Sequence, residues 1–96
     1  MKFGIVIGTV VCTRKSERIE GRKIQLLHPV DLDMKPKGDV LAAIDSVGAG
    51  PGELVLFAAG SSARQTETTK NTPVDTVIMA IVDIVEKDGK EIFKKE

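Results

Sequence analysis

Between Asp45 and Glu53 the chain reads Asp-Ser-Val-Gly-Ala-Gly-Pro-Gly-Glu, and this stretch limits the fold more than any other. Three glycines and a proline within Gly48 to Gly52 exclude a helix and exclude the interior of a strand. The apolar run Leu54-Val55-Leu56-Phe57 follows directly. The segment therefore reads as a tight, backbone-dominated loop joining two strands. Glycine-rich loops that hold nucleotide phosphates look similar, but they open a helix, and a P-loop ends in Gly-Lys-Ser/Thr. Here the glycines lead into Glu53, which has the same sign of charge as phosphate, and then into a strand. Close approach of another backbone fits this loop better than a phosphate does.

Composition narrows the function classes. The chain of 96 residues suffices for a single domain with a modest core, carrying a short tail from about residue 87. Lys plus Arg and Asp plus Glu both total 14, so the formal charge is zero and no acidic partner is advertised. A small protein without charge repulsion associates readily, which suits a part meant to assemble. No apolar run is long enough to span a membrane, and Met1-Lys2 leads into a strand pattern rather than a leader's cleavage site. The one cysteine, Cys12, excludes an intrachain disulfide and fits a reducing cytoplasm. Together with one histidine, His28, it falls short of the four ligands of a structural zinc site, so neither a metal nor a cofactor is expected.

Alternation and turn residues divide the chain into strands. Phe3 to Val11 is the first, with Phe3, Ile5, Ile7 and Thr9 on one face and Gly4, Val6, Gly8 and Val10 on the other. Its glycines mark a bend, a bulge or close packing, as strongly curved small barrels require. After the charged connection Thr13 to Gly21, Arg22 to Val30 is the second strand, with Lys23 and Gln25 alternating against Ile24 and Leu26. A loop over Asp31 to Gly38 precedes the third strand, Asp39 to Val47, and Glu53 to Ala59 is the fourth. Ser62 and Gln65 have the spacing of a capping box, which predicts a short helix there. Pro73 introduces the fifth strand, Val74 to Glu86; Asp88-Gly89 is a turn, and Glu91 to Lys94 adds a short final strand. The expected architecture is all-β: a small five-stranded OB-like barrel with one short helix between the fourth and fifth strands.

Thr76 to Val82 is apolar on both faces, and so are the first and fourth strands. A barrel strand with a wet outside alternates instead. One short helix cannot cover three outer surfaces, and each exposed Val or Ile would forfeit about 1.5–3 kcal/mol of burial. The economical expectation is an oligomer whose other copies cover these faces.

Several residues invite a chemical reading and each has a plainer one. Asp45, Asp75 and Asp83 suggest metal or acid–base work, but turn amides or an arginine partner account for them. Ser61 and Ser62 lack a triad partner, and helix capping is the simpler role. Cys12, at the end of an apolar strand, reads as a small hydrophobe, and His28 as a surface or strand-edge residue. Arg64 falls in the first turn of the expected helix, where the dipole disfavours a cation. That cost calls for a carboxylate, with Glu53 the favoured partner across a subunit boundary. Nucleic-acid binding needs a positive groove and aromatic platforms; the chain has three Phe, no Trp and no Tyr, so no nucleic acid is expected.

From about Lys2 to Val85 the chain resembles the EutN/CcmL family of microcompartment shell vertex proteins. The likeness rests on Gly4-Ile5-Val6-Ile7-Gly8-Thr9-Val10, Thr13, Lys15 and Gly21-Arg22-Lys23-Ile24. It continues through Asp45 to Glu53 and Gly60-Ser61-Ser62-Ala63-Arg64, and closes with Pro73-Val74-Asp75 and Ile81-Val82-Asp83. The ending Lys94-Lys95-Glu96 lies outside the pattern. The resemblance implies a homopentamer that closes the corners of a polyhedral shell built from hexameric tiles. It further implies a cytoplasmic structural part that is not an enzyme, with Asp45, Gly48, Ala49, Gly50, Gly52, Glu53, Ser61, Ser62, Arg64, Asp75 and Asp83 at subunit contacts or the pore. The alternative is a small oligomeric barrel that binds an anionic metabolite through the Gly48–Gly52 amides.

Overall fold

Seven strands follow one another in the computed structural model, which describes residues 1–13, 22–60 and 75–96. They are β1 (Lys2–Val10), β2 (Lys23–Pro29), β3 (Leu41–Asp45), β4 (Leu54–Ala59), β5 (Thr76–Ile81), β6 (Ile84–Lys87) and β7 (Lys90–Lys94). The first five close into a barrel in the order β1-β2-β3-β5-β4, with β4 returning to β1. Every pairing is antiparallel except β3 with β5, where only Ile44↔Val77 and Asp45↔Ile78 run parallel. The five-stranded OB-like barrel is as the sequence predicts. Its expected short helix, starting near Ser62, lies outside the described residues.

The predicted long fifth strand is two elements. β5 stops at Ile81, and the Val82 amide turns to donate to the Leu54 carbonyl at 2.8 Å. The chain then restarts as β6, which pairs only with β7. Their turn is Asp88-Gly89, both residues at positive φ (53° and 76°), the backbone of a type I′ hairpin.

Among the described residues, apolar side chains pack in three clusters. Inside the barrel, Val6, Leu27, Ala43, Ala49, Val55, Phe57 and Ile78 pack together. Outside it, Ile44, Ala58 and Val77 form a second cluster with Ile24 and Met79. A third joins Val30, Leu54 and Val82 to Phe3, Ile5 and Leu56, and is covered by Val85 and Phe93 of the hairpin. The two-sided strands are thus partly explained within one protomer, because the C-terminal hairpin covers the outer face of β1 and β4. The sequence argument, which assigned that cover to other copies, is corrected to this extent.

The interior imposes its own demands on β1 and β2. A Cβ at Gly4 would stand 2.9 Å from Leu27 Cδ1 and 3.1 Å from Phe57 Cε1, so glycine here is a packing requirement. The pairing of β1 with β2 slips between Val6 and Gly8, placing Thr9 opposite Gln25. A one-residue slip reverses the faces, so Thr9 does not share the outward face of Phe3 and Ile5 as simple alternation predicts. In β2 the polar residue Gln25 is fully buried beside Leu27, while Ile24 and Leu26 are half-exposed. The apolar side of this strand faces out.

Candidate functional site

The loop between β3 and β4 folds back over one end of the barrel, and Ala49 fills that end as a fully buried member of the interior cluster. Asp45 starts the turn: its Oδ1 accepts from the Val47 amide at 2.9 Å and the Gly48 amide at 3.0 Å. Ser46 Oγ donates to the Ile78 carbonyl at 2.6 Å, tying the loop to β5. Gly50-Pro51-Gly52-Glu53 then forms a second turn, closed by the Glu53 amide on the Gly50 carbonyl at 3.2 Å. Proline followed by a glycine at φ 88° is the pattern of a type II turn, which requires a left-handed residue at its third position. From there Gly52 donates to the Val6 carbonyl at 2.7 Å, and Val6 donates back to Glu53 at 3.1 Å. The loop does meet another backbone closely, and that backbone is its own β1.

Gln25 is the buried hub beneath the loop. Its Nε2 donates to the Ala49 carbonyl (2.5 Å) and to Asp45 Oδ2 (3.2 Å), while its Oε1 accepts from Thr9 Oγ1 at 2.9 Å. A buried carbonyl such as that of Ala49 needs a donor, and an uncharged amide supplies one without the desolvation cost of a cation. Neither Gln25 nor Thr9 was among the residues singled out from the sequence. A glutamine set between Ile24 and Leu26 was the available signal.

Glu53 carries the outer anchorage. Its Oε1 accepts from the Gly50 amide at 2.6 Å and its Oε2 accepts from Lys95 Nζ in the C-terminal tail. The Lys95 hydrogen bond, and next the Gly50 amide, hold the Glu53 carboxyl below its ordinary pKa against a smaller opposing effect of burial. Lys95 is raised, first by the bond to Glu53 and, more weakly, by the nearby charges of Glu53 and Asp83. The contribution from Glu53 is therefore complete above the carboxyl's unfolded pKa and disappears as pH falls through the lowered folded value. The contribution from Lys95 is complete below the lysine's unfolded pKa and is lost as pH rises through the raised one.

Of the predicted residues, Asp45, Gly48, Ala49, Gly50, Gly52 and Glu53 converge on this loop. Asp83 lies beside it, its carbonyl accepting from the Lys95 amide at 2.7 Å. Asp75 is exposed where β5 begins, and its carbonyl accepts from Gly60 at 2.7 Å. Ser61, Ser62 and Arg64 lie outside the described residues. Within the chain the Glu53 carboxylate is bound by Lys95; Arg64, its expected partner across a subunit boundary, is among the residues not described. The glycines of this loop at positive φ are Gly48 (76°) and Gly52 (88°), not Gly50. A Cβ on Gly50 would meet only Glu53 Oε1, at an ordinary 3.5 Å. Cys12 is exposed, not a small core hydrophobe.

This geometry does not favour the anion-binding alternative. The amides of Val47 and Gly48 go to Asp45, that of Gly50 to Glu53, and that of Gly52 to Val6. An anion would have to displace two carboxylates that repel it. The opposite mouth of the barrel is the roomier place, a cavity of about 650 Å³ lined by Phe3, Pro29, Leu41 and Phe57 and rimmed by Lys2 and Lys37.

The fold is that of a small closed β-barrel whose glycine loop is folded into its own end, with Ile7, Val11 and Val47 exposed. Comparison with known proteins narrows the class. A family model described as "Ethanolamine utilisation protein EutN/carboxysome" matches residues 1–83. The chain is 41% identical over 95 residues to the bacterial microcompartment shell vertex protein EutN of Salmonella typhimurium, covering 99% of this chain and 96% of that one. The solved structure of Gloeobacter violaceus CcmL superposes with a TM-score of 0.92 at 40% identity, covering 99% of this chain and 98% of that one. GrpN of Rhodospirillum rubrum, described as a pentameric microcompartment shell protein, does so with a TM-score of 0.82 at 40% identity, over 91% and 99% of the two chains. The chain belongs to the EutN/CcmL family.

Proposed function

We propose that this chain is a structural component of a bacterial microcompartment shell in the cytoplasm, where five copies form a ring that closes a vertex. The observation that carries the reading is near-complete coverage at 40% identity of Gloeobacter violaceus CcmL, named a carboxysome shell vertex protein. GrpN supplies the number five. The geometry of shells makes the role intelligible: six-fold tiles make a flat sheet, and closing it into a polyhedron needs five-fold units at the corners. Hexameric shell tiles are then the partners around each ring.

The protomer supports an assembling surface at the loop end. Ile7 is 47% exposed, Val47 39% and Val11 91%, and Ile7 follows the Val6 backbone that pairs with Gly52 and Glu53. Ile24 and Leu26 add the half-exposed outer side of β2. In this reading the loop from Gly48 to Glu53 lies at the contact between neighbours. The ring is then a structural part and not an enzyme, which the relatives named as shell vertex proteins support. Native mass spectrometry should give a principal species of five chains. A folded monomer as the main species, or a dimer as the largest, overturns the proposal.

A further inference from the structure

The ending Lys94-Lys95-Glu96 lies beyond the match to the family model, which stops at residue 83, yet it reaches the loop. We propose that Lys95 is a positioning residue that holds the Glu53 carboxylate on the Gly50 amide, so that the C-terminal tail sets the shape of the loop through which protomers meet. This inference rests on the reading of that loop as a subunit contact.

Four observations point this way. Glu53 is bound at both oxygens, by Gly50 on one and Lys95 on the other, so the side chain bridges loop and tail. Lys95 is itself fixed, because its amide donates to the Asp83 carbonyl at 2.7 Å. Two residues earlier, Phe93 packs in the cluster that covers Leu54 and Leu56, which anchors the tail on the strand that leaves the loop. The groove between them, about 470 Å³, is lined by Pro51, Gly52 and Glu53 from the loop and by Phe93, Lys94 and Lys95 from the tail.

Gly50 is where such a device has effect. It has no side chain to lock it, no positive φ that sterics would enforce, and room for a Cβ. Its carbonyl closes the turn with the Glu53 amide, its amide is held by the Glu53 carboxylate, and that carboxylate is oriented by Lys95. An exposed ion pair adds little to folding stability. Holding one carboxylate oxygen over one amide is a matter of geometry, and geometry decides how well two surfaces fit. Beyond the pair itself, Asp83 is the charged group that acts on Lys95, and the uncharged Gly50 amide is the donor on the side of Glu53.

The test uses the full chain with Lys95→Ala and, as the conservative rescue, Lys95→Arg. Two readouts are taken: the protomer concentration at which the ring half-dissociates, and hydrogen exchange of the peptide spanning Gly48 to Glu53, measured well above that concentration. The proposal expects Lys95→Ala to speed exchange in this peptide and raise the half-dissociation concentration by about three- to five-fold, the scale of one exposed charged contact. Lys95→Arg should restore both. Unchanged exchange in Lys95→Ala overturns the positioning role. Faster exchange with an unchanged ring overturns the coupling and removes the loop from the subunit contact, while the pentamer reading itself stands or falls on the mass of the ring. Effects on both readouts that Lys95→Arg fails to restore also overturn it.

Discussion

Two loops of this chain turn on an aspartate in the same way. Asp31 accepts from the amides of Asp33 (2.8 Å) and Lys35 (3.0 Å), and Asp45 accepts from those of Val47 (2.9 Å) and Gly48 (3.0 Å). Beyond that first oxygen they differ. The bonds of the Asp31 loop stay local, from Asp31 to Lys35, Met34 to Asp31 and Lys37 to Pro29. This loop borders the mouth that remains open. The second oxygen of Asp45 instead accepts from the buried Gln25, and the loop continues into the barrel through Ala49 and onto β1 through Gly52. Local turn chemistry is shared; anchorage to the interior is not. Anchorage makes one loop a fixed surface, which an assembling face needs, because each residue ordered only on association subtracts from affinity.

Removing the anchor is the harshest way to break this comparison. Gln25→Ala leaves the Ala49 carbonyl without its donor and opens a cavity under the loop. The combined cost is about 3 kcal/mol, read as a lower urea midpoint at fixed protomer concentration. Gln25→Leu refills the space without restoring the donor, so it should recover part of the loss. Full recovery would show that Gln25 matters as volume alone and that the loop is not hung from it.

Asp45→Ala tests the next link. It removes acceptors for two loop amides and for Gln25 Nε2 together. Part of the site is solvated, so the expected loss is about 1–2 kcal/mol. A cycle with Gln25→Ala should be non-additive, because the two side chains touch. Additivity would separate the turn from the hub and leave the two loops alike.

How much of this was legible in the chain follows from what each feature depends on. The barrel strands and the Asp88-Gly89 turn were readable because alternation and turn residues are local signals. So was the glycine that needs a positive φ: Pro51 followed by Gly52 is turn chemistry that names Gly52, not Gly50. The inward side of β2 was not readable. Ile24 and Leu26 look like the core face, and only the closure of the barrel shows that Gln25 shares the inward face of Leu27. The slip at Val6 and Gly8 brings Thr9 opposite Gln25. The pairing of Glu53 with Lys95 spans 42 positions, and no local pattern announces a contact at that distance. The break at Val82 is equally silent, since it is set by the Leu54 carbonyl rather than by any glycine or proline. What the sequence hid is what tertiary closure decides.

The mildest test sharpens the comparison from the other side. Asp31→Ala removes the same two kinds of bond as Asp45→Ala, to the amides of Asp33 and Lys35, but in a loop that is exposed over most of its length. Water can satisfy those amides once the carboxylate is gone, so the loss should be about 0.5 kcal/mol or less. The half-dissociation concentration of the ring should not move. If Asp31→Ala costs as much as Asp45→Ala, local turn chemistry rather than anchorage sets the value of these aspartates. If it leaves the protomer stable but weakens the ring, the open mouth belongs to a contact, and Leu32, 41% exposed on its lining, is the next residue to change.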